Sequence, residues 1–247
     1  MEQVEPIPLA VMVGSRRVPT VLWQRNEGGA APLVLLGHGG SSHKTAPRQQ
    51  ALASRLVRAG LAVLAIDGPA HGERAAGHEM APGEYQADLV ARGIEVVVRD
   101  MVEDWMAAVG AARASGATGR RVGYLGLSMG TRFGLPLAAA LGDELTCAVL
   151  GKFGLSQGAA LHPGLHDPTR LRRDAGQVVA PTVWHVQWDD EIFPRAGQLE
   201  LFDCLRSEEK WLVPFPGRHG TTAHAAADGW VTFLVRRLTC TEEVMAR

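Results

Sequence analysis

Apolar residues follow two rhythms along this chain, and the rhythms alternate. Short apolar-rich runs bounded by Gly, Pro or Asp occur at 33–36, 61–66, 121–125, 145–150, 181–187 and 210–214. Each has the length and character of a strand buried on both faces. Between these runs, apolar residues recur at steps of three and four. Over 47–59 they place Leu52, Leu56 and Val57 on one side, and Gly60 ends the pattern. Over 88–113 they fall at 90, 94, 97, 98, 101, 102, 105, 108, 109 and 112, which predicts one long amphipathic helix. Further helices are predicted over 131–141, 194–205 and 222–238. Two strands near the start, 9–13 and 18–25, flank Gly14-Ser15-Arg16-Arg17 and read as a hairpin. Residues 26–32 and 67 to about 83 read as Gly- and Pro-rich loops, and 151–180 is less regular.

Strands alternating with helices imply βαβ units, hence an α/β fold with a mostly parallel sheet covered by helices on both faces. No repeat, low-complexity tract or linker divides the 247 residues, so a single domain over 1–247 is expected. A chain this long buries roughly 70–75% of its unfolded surface and needs no staple. The three cysteines, Cys147, Cys204 and Cys240, are widely spaced, which argues against a disulfide scaffold or a zinc finger. Lys and Arg number 25 against 26 Asp and Glu, so no global field attracts nucleic acid or anionic lipid. The short clusters at 119–121 and at Arg170, Arg172 and Arg173 read as solvated surface. No apolar stretch approaches the ~20 residues of a membrane span. The opening MEQVEPIPLA lacks the basic-then-apolar form of a signal peptide. A cytoplasmic location, with neither a nucleic-acid nor a membrane partner, is therefore the expectation. No feature marks a dimer face, and the oligomeric state stays open.

Ligands on such sheets bind beyond the carboxyl ends of the strands. Just there, after the run at 121–125 and before the helix at 131–141, stands Gly126-Leu127-Ser128-Met129-Gly130. A G-x-S-x-G turn in this context holds its serine in a strained conformation with the oxygen exposed above the sheet, and the following helix points amides at it. A nucleophilic serine needs a base, and the base an orienting acid; on turns of this kind the chain order is Ser, acid, His. The run at 181–187 ends in Trp188-Asp189-Asp190-Glu191, and Asp190 is the choice of acid, with Asp189 the alternative. Either acid could instead cap the helix that starts at Pro194. The next strand ends before Gly217-Arg218-His219-Gly220; His219 is the choice of base, while His224 lies inside the helical pattern. An oxyanion hole needs two amides. One would come from Met129. The other would come from the loop His38-Gly39-Gly40-Ser41-Ser42-His43-Lys44, with Gly40 favoured and Gly39 the alternative. His38 is expected to brace that loop. His71 and Glu73 are expected to hold the neighbouring loop rather than line the pocket. Trp184, Trp188 and Trp211 read as packing residues, with Trp188 alone close to an expected site loop. His78-Glu79 begins like H-E-x-x-H, but Pro82 stands at the second histidine's place, and no phosphate loop or dinucleotide fingerprint is present.

Three segments, HGGSSHKT at 38–45, IDGPAHGER at 66–74 and GLSMG at 126–130, give the chain a family likeness. It resembles the serine hydrolases of the α/β-hydrolase fold, in the branch of dienelactone hydrolase-like and cinnamoyl (feruloyl) esterase-like proteins. The resemblance implies an eight-stranded sheet whose second strand is antiparallel. It also implies a cofactor-free serine esterase acting on small-molecule esters through Ser128, His219 and Asp190. A thioesterase or acyltransferase using the same three residues is the alternative, and a non-catalytic hydrolase-like binding protein a third reading. Two departures from the branch stand out. Gly40 replaces a frequent aromatic residue, which suggests a more open pocket wall. The interval 151–180 leaves room for only a minimal lid, so bulky or varied substrates are expected to enter.

Overall fold

Successive side chains of a strand point to opposite faces, so the buried runs of this chain supply two cores at once. The computed structural model describes residues 4–25, 30–75, 81–116 and 118–240. Most of the loop read at 26–32, and His78-Glu79, lie outside the described residues. Strand β3 (Ala31–Gly37) sends Leu33 and Leu35 to one side and Val34 and Leu36 to the other. Strand β4 (Ala62–Ile66) divides Ala62, Leu64 and Ile66 from Val63 and Ala65 in the same way. Burying each leucine contributes about 1.5–3 kcal/mol. Helices α1 (Pro47–Arg58) and α7 (His224–Thr239) close one face. The other is closed by α3 (Ile94–Ala114), α4 (Met129–Leu141), α5 (Pro168–Ala175) and α6 (Arg195–Asp203).

The remaining strands are β1 (Ile7–Val13), β2 (Arg16–Trp23), β5 (Thr118–Gly126), β6 (Leu145–Gly151), β7 (Thr182–Gln187) and β8 (Lys210–Phe215). They form one eight-stranded sheet in the order β1-β2-β4-β3-β5-β6-β7-β8. Strand β2 is antiparallel to both of its neighbours, and every other pairing is parallel. The hairpin is tighter than the four-residue turn expected: Val13 pairs with Arg16, which leaves Gly14-Ser15, and Gly14 takes φ 57°. From β3 the chain runs to β4 on one side, while β5 lies on the other. The order thus reverses between β3 and β5 and opens a crevice at their carboxyl ends.

One predicted helix is two. The pattern over 88–113 breaks at Gly93, whose φ of 82° an L-residue rarely adopts, and α2 (Pro82–Arg92) precedes α3 as a separate helix. It begins at Pro82, inside the segment read as loop. The break turns α2 toward the crevice, where Tyr85, Gln86 and Leu89 become wall residues. No described helix is long and apolar enough to cross a membrane.

Two histidines are buried beside the sheet's carboxyl edge. His185 on β7 lies against Phe215 and Trp230, and His38 follows β3 directly. Burial pulls the pKa of each from 6.5 down to about 4. Between those values the unfolded chain binds protons that the folded chain refuses, so stability falls as pH drops through this window. Each histidine should cost roughly 2–3 kcal/mol at pH 4.5 relative to pH 7. Urea unfolding at the two pH values measures the sum, and His185→Gln should flatten the dependence.

Candidate active site

The turn between β5 and α4 is built on close approach. A Cβ on Gly126 would sit 2.6 Å from the Tyr124 hydroxyl oxygen, and one on Gly130 would press on the Gly37 backbone at 3.2 Å. Side chains are therefore excluded on both flanks of the serine. Ser128 itself takes φ 59° and ψ −118°, a conformation that costs a non-glycine residue about 1–3 kcal/mol. The surroundings fix it there. The Ser128 amide donates to Gly151 O at 3.0 Å, and the Thr131 hydroxyl reaches Gly126 O and Gly151 O, both at 2.8 Å. Tyr124 donates to Gly130 O at 2.6 Å from beneath. Three non-glycine residues among those described have positive φ, namely Ala70, Ser128 and Lys152, and two of them, Ser128 and Lys152, line this crevice.

The structure brings Ser128, His219 and Asp190 into one hydrogen-bonded line. His219 Nε2 lies 2.9 Å from Ser128 Oγ, and His219 Nδ1 lies 2.8 Å from Asp190 Oδ2. The Asp190 side chain is fully buried and that of His219 is 15% exposed. Asp190 does not cap the following helix, whose first turn has no side-chain cap; its other oxygen, Oδ1, accepts the amides of Ile192 at 2.9 Å and Phe193 at 2.8 Å in the turn that precedes it. Asp189 is not in the line. It is exposed, and it pairs with Gly217 by accepting that amide at 3.0 Å and donating its own to Gly217 O at 3.1 Å. Gln187 adds donations to Pro216 O at 2.8 Å and Gly217 O at 2.9 Å, so the acid and histidine loops are stitched together before either reaches the crevice. His224 opens α7 and is exposed. In this arrangement the imidazole can accept the serine proton while the carboxylate supports the charge that results.

The β3 loop is held from below. The Gly68 amide donates to His38 Nε2 at 2.7 Å, which places the ring proton on Nδ1, 2.9 Å from Gly39 O. His71 lies between Pro69 O at 2.7 Å and Gly40 O at 2.9 Å. Buried Lys44 reaches both Asp67 and Glu73 at 2.6 Å and ties this loop to the one after β4. Burial works to raise the Asp67 carboxyl, but hydrogen bonds from Lys44 and from the Glu73 amide prevail and hold it below its usual value. The segments 38–45 and 66–74 are thus one ion-paired unit. Gly40 lines both cavities that meet at Ser128, whereas Gly39 lines one of them. Met129 opens α4, so its amide has no acceptor within the helix. The more open wall expected at Gly40 is not found. A Cβ there would come within 2.5 Å of the Tyr85 hydroxyl, so an aromatic residue from α2 fills that space.

One cavity of about 430 Å³ lies toward α1 and α7, lined by Ser41, Ser42, Arg48, Gln49, Lys152 and Trp230 among others. A second, of about 310 Å³, lies toward α2 and the 151–180 segment. Its wall is mostly apolar, with Leu89, Phe153, Leu161, Leu165, Ile192 and Phe193, and it also holds Arg132. Lys152 and Arg132 escaped the sequence reading, although each carries a signal: Lys152 follows a buried strand directly, and Arg132 is the one charge in an otherwise uncharged helix. Lys152 donates to His219 O and Thr222 Oγ1 at 3.0 Å each, and to Thr221 O. Its pKa is pushed from 10.5 to about 8 by burial and then by Arg48, against the pull of Asp190. Trp188 lines neither cavity; it is 44% exposed and stacks under Arg195 at 4.1 Å. Trp184 is buried as expected, but Trp211 is exposed beside Phe233 and Arg237.

No protein-family model matches this chain, and no curated protein matches it. Among solved structures, the PEG-bound complex of a cold-adapted esterase from an Arctic intertidal metagenomic library is similar at a TM-score of 0.78. It is 34% identical, over 95% of this chain and 93% of that one. A dienelactone hydrolase from Anabaena variabilis gives 0.65 at 23% identity, over 96% of this chain and 97% of that one. Est1E from Butyrivibrio proteoclasticus gives 0.68 at 14% identity, over 94% and 99%. The first likeness is one of sequence and fold; the other two are of fold alone.

Two outcomes test how the loops are held. Lys44→Met strands the buried Asp67 carboxylate and should cost about 3–5 kcal/mol of stability in chemical unfolding. For Lys152, loss of the proton removes one of three donors that steady the His219 loop. Modification of Ser128 by a fluorophosphonate should therefore slow as pH rises through about 8, and Lys152→Gln should abolish that limb. The lowered pKa makes this group's contribution to folding stability rise from about pH 8 to 10.5. Unfolding at Lys152 would not account for the loss.

Proposed function

This chain belongs to the α/β-hydrolase family, as a relative of the cold-adapted esterase, and from that premise we propose that it hydrolyses carboxylic esters through an acyl-enzyme. The observation that carries the reading is the unbroken line from Ser128 Oγ to His219 to buried Asp190, with the serine held at positive φ over the crevice. Ser128 attacks the ester carbonyl as His219 Nε2 takes its proton. Asp190 keeps the ring in the tautomer that presents Nε2 to the serine and stabilises the imidazolium. The amides of Gly40 and Met129 receive the developing oxyanion, where each donor contributes about 2.7–4 kcal/mol to transition-state stabilisation. His219 returns the proton to the leaving alcohol, then activates water to release the acyl group.

The two cavities support a division of the substrate about Ser128, one part on each side. Leu161 and Leu165 bring the 151–180 segment into the wall of the smaller cavity, and in this reading that segment is a minimal lid. Small-molecule esters are the substrates that fit. The likeness of fold to dienelactone hydrolase and Est1E agrees with the branch that the motifs resemble.

Hydrolysis of p-nitrophenyl esters from acetate to palmitate, beside a phenolic methyl ester, tests the reading. Wild type should turn over short and medium esters, with palmitate poor, because about 310 Å³ is at the low end for a ligand pocket. Ser128→Ala should lower kcat/KM by about 10⁴-fold or more. Unchanged turnover in that variant would overturn the mechanism.

A further inference from the structure

Both ring nitrogens of His71 face carbonyl oxygens. Nδ1 lies 2.7 Å from Pro69 O and Nε2 lies 2.9 Å from Gly40 O. A carbonyl oxygen only accepts, and a neutral imidazole carries a single N–H. A neutral ring would therefore set a bare nitrogen lone pair against an oxygen lone pair at hydrogen-bond distance, inside the fold, where His71 is 8% exposed. The imidazolium, with an N–H on each nitrogen, satisfies both contacts.

The chain is bent on both sides to put the ring there. Ala70 holds φ 60°, which an alanine keeps only where its surroundings impose it, and Gly72 holds φ 54°. Among the described residues, the groups around the ring leave room for its charge. His38, with its ring centroid 5.4 Å away, is kept neutral by burial, which lowers its pKa to about 4. Tyr85 meets the ring edge-on at 4.6 Å, and burial raises its pKa, so it is neutral as well. The Asp67 carboxylate lies against the next residue, where a Cβ on Gly72 would collide with Oδ1. Burial opposes ionisation at Asp67, but hydrogen bonds from Lys44 keep both Asp67 and Glu73 ionised. Two carboxylates thus share one buried ammonium, with exposed Arg17 pairing Glu73 from outside.

What the ring holds is the freest stretch of the loop after β3. Gly39 and Gly40 have no side chain to limit their dihedrals, yet the Gly40 amide has to aim at one spot. His38 donates from Nδ1 to Gly39 O at 2.9 Å. That peptide is trans and planar, so the Gly40 N–H points the opposite way. His71 takes the following peptide by Gly40 O. The two peptides that meet at the Gly40 Cα are each pinned by a histidine.

We propose that His71 is a positioning residue for the oxyanion hole: as an imidazolium it binds Pro69 O and Gly40 O together, and so fixes the Gly40 amide before substrate arrives. This rests on the hydrolase reading above and adds a residue to its machinery. His71 lines neither of the two cavities, so it acts through the backbone and not on the substrate.

Nitrogen-15 NMR of the histidine rings in the free protein at pH 7 tests the charge, with His71 assigned through its own backbone. Both of its ring nitrogens should carry protons, and one bare nitrogen overturns the proposal. Kinetics test the positioning. His71→Phe keeps a ring beside Tyr85 and removes both N–H groups. Per active site, counted with a fluorophosphonate, it should lower kcat on p-nitrophenyl acetate about tenfold or more, with KM within about twofold. A trifluoromethyl ketone, which forms a tetrahedral oxyanion on Ser128, should bind more weakly by the same factor. His71→Gln, with two N–H groups on one nitrogen, should restore part of both losses. Should His71→Phe fail to fold, the same split is read on His71→Gln against wild type, at about threefold or more. A structural role alone would lower the number of active sites and leave kcat per site and ketone affinity unchanged, and that result overturns the positioning. If wild type cleaves no ester and the fluorophosphonate does not label Ser128, the hydrolase reading fails; the nitrogen spectrum then still decides whether His71 clamps both carbonyls.

Discussion

A serine cannot sit at positive φ beside a strand end unless the chain around it leaves no alternative, and the carboxyl edge of this sheet is organised to leave none. Tyr124 fills the space under the turn, so Gly126 must lack a side chain. Gly130 must lack one as well, because α4 comes against the backbone of Gly37. That contact sets the distance between β3 and the start of α4, and so determines that Gly40 arrives next to Met129. Thr131 closes the arrangement by bonding to the ends of both β5 and β6 with one hydroxyl. Local strain is held by tertiary contacts that come from three separate strands, which is the condition under which such strain persists in a folded protein.

The loops that complete the site are held by a second principle, the pairing of buried charge. Lys44, Asp67 and Glu73 join the loops after β3 and β4. Gln187 and backbone bonds join those after β7 and β8. The two devices differ in what they tolerate. An ion pair in a dry interior fails badly when one member is removed, whereas a set of neutral bonds loses them one at a time. The side of the crevice that carries Gly40 is therefore rigid, and the side that carries His219 depends further on Lys152, whose three bonds to 219–222 replace packing.

Much of this was legible in the sequence. Strand runs and helix periods gave the α/β fold because both faces of the sheet are buried, which makes the apolar pattern continuous in strands and periodic in helices. That Ser128, Asp190 and His219 would meet, with Met129 and Gly40 beside the same crevice, was legible because each follows a strand end. What escaped was what depends on distance through space. The break at Gly93 was hidden by apolar spacing that continues across it, and with it the approach of Tyr85 to Gly40. The burial of Arg170 was hidden because acids three residues before it and four after meet only once the helix has formed. Trp211 read as packing because its strand is apolar, yet β8 is the edge of the sheet and leaves it exposed.

Charge around the crevice is strongly uneven, and the unevenness has a direction. The acids close to it are committed: Asp190 to His219, Asp67 and Glu73 to Lys44, and Asp167 and Asp174 to Arg170. The cations Lys152 and Arg132 have no carboxylate partner among the described residues, and each lines one of the two cavities. Helix α4 adds its positive end at Ser128. In the proposed reaction negative charge develops on the substrate oxygen at the meeting point of these cavities. A site with surplus positive charge, fixed before the substrate arrives, stabilises that charge without having to reorganise. A freely mobile surface lysine could not do this, because water and its own entropy would screen it. Burial is what makes the cations effective, and the same burial makes them costly to the fold.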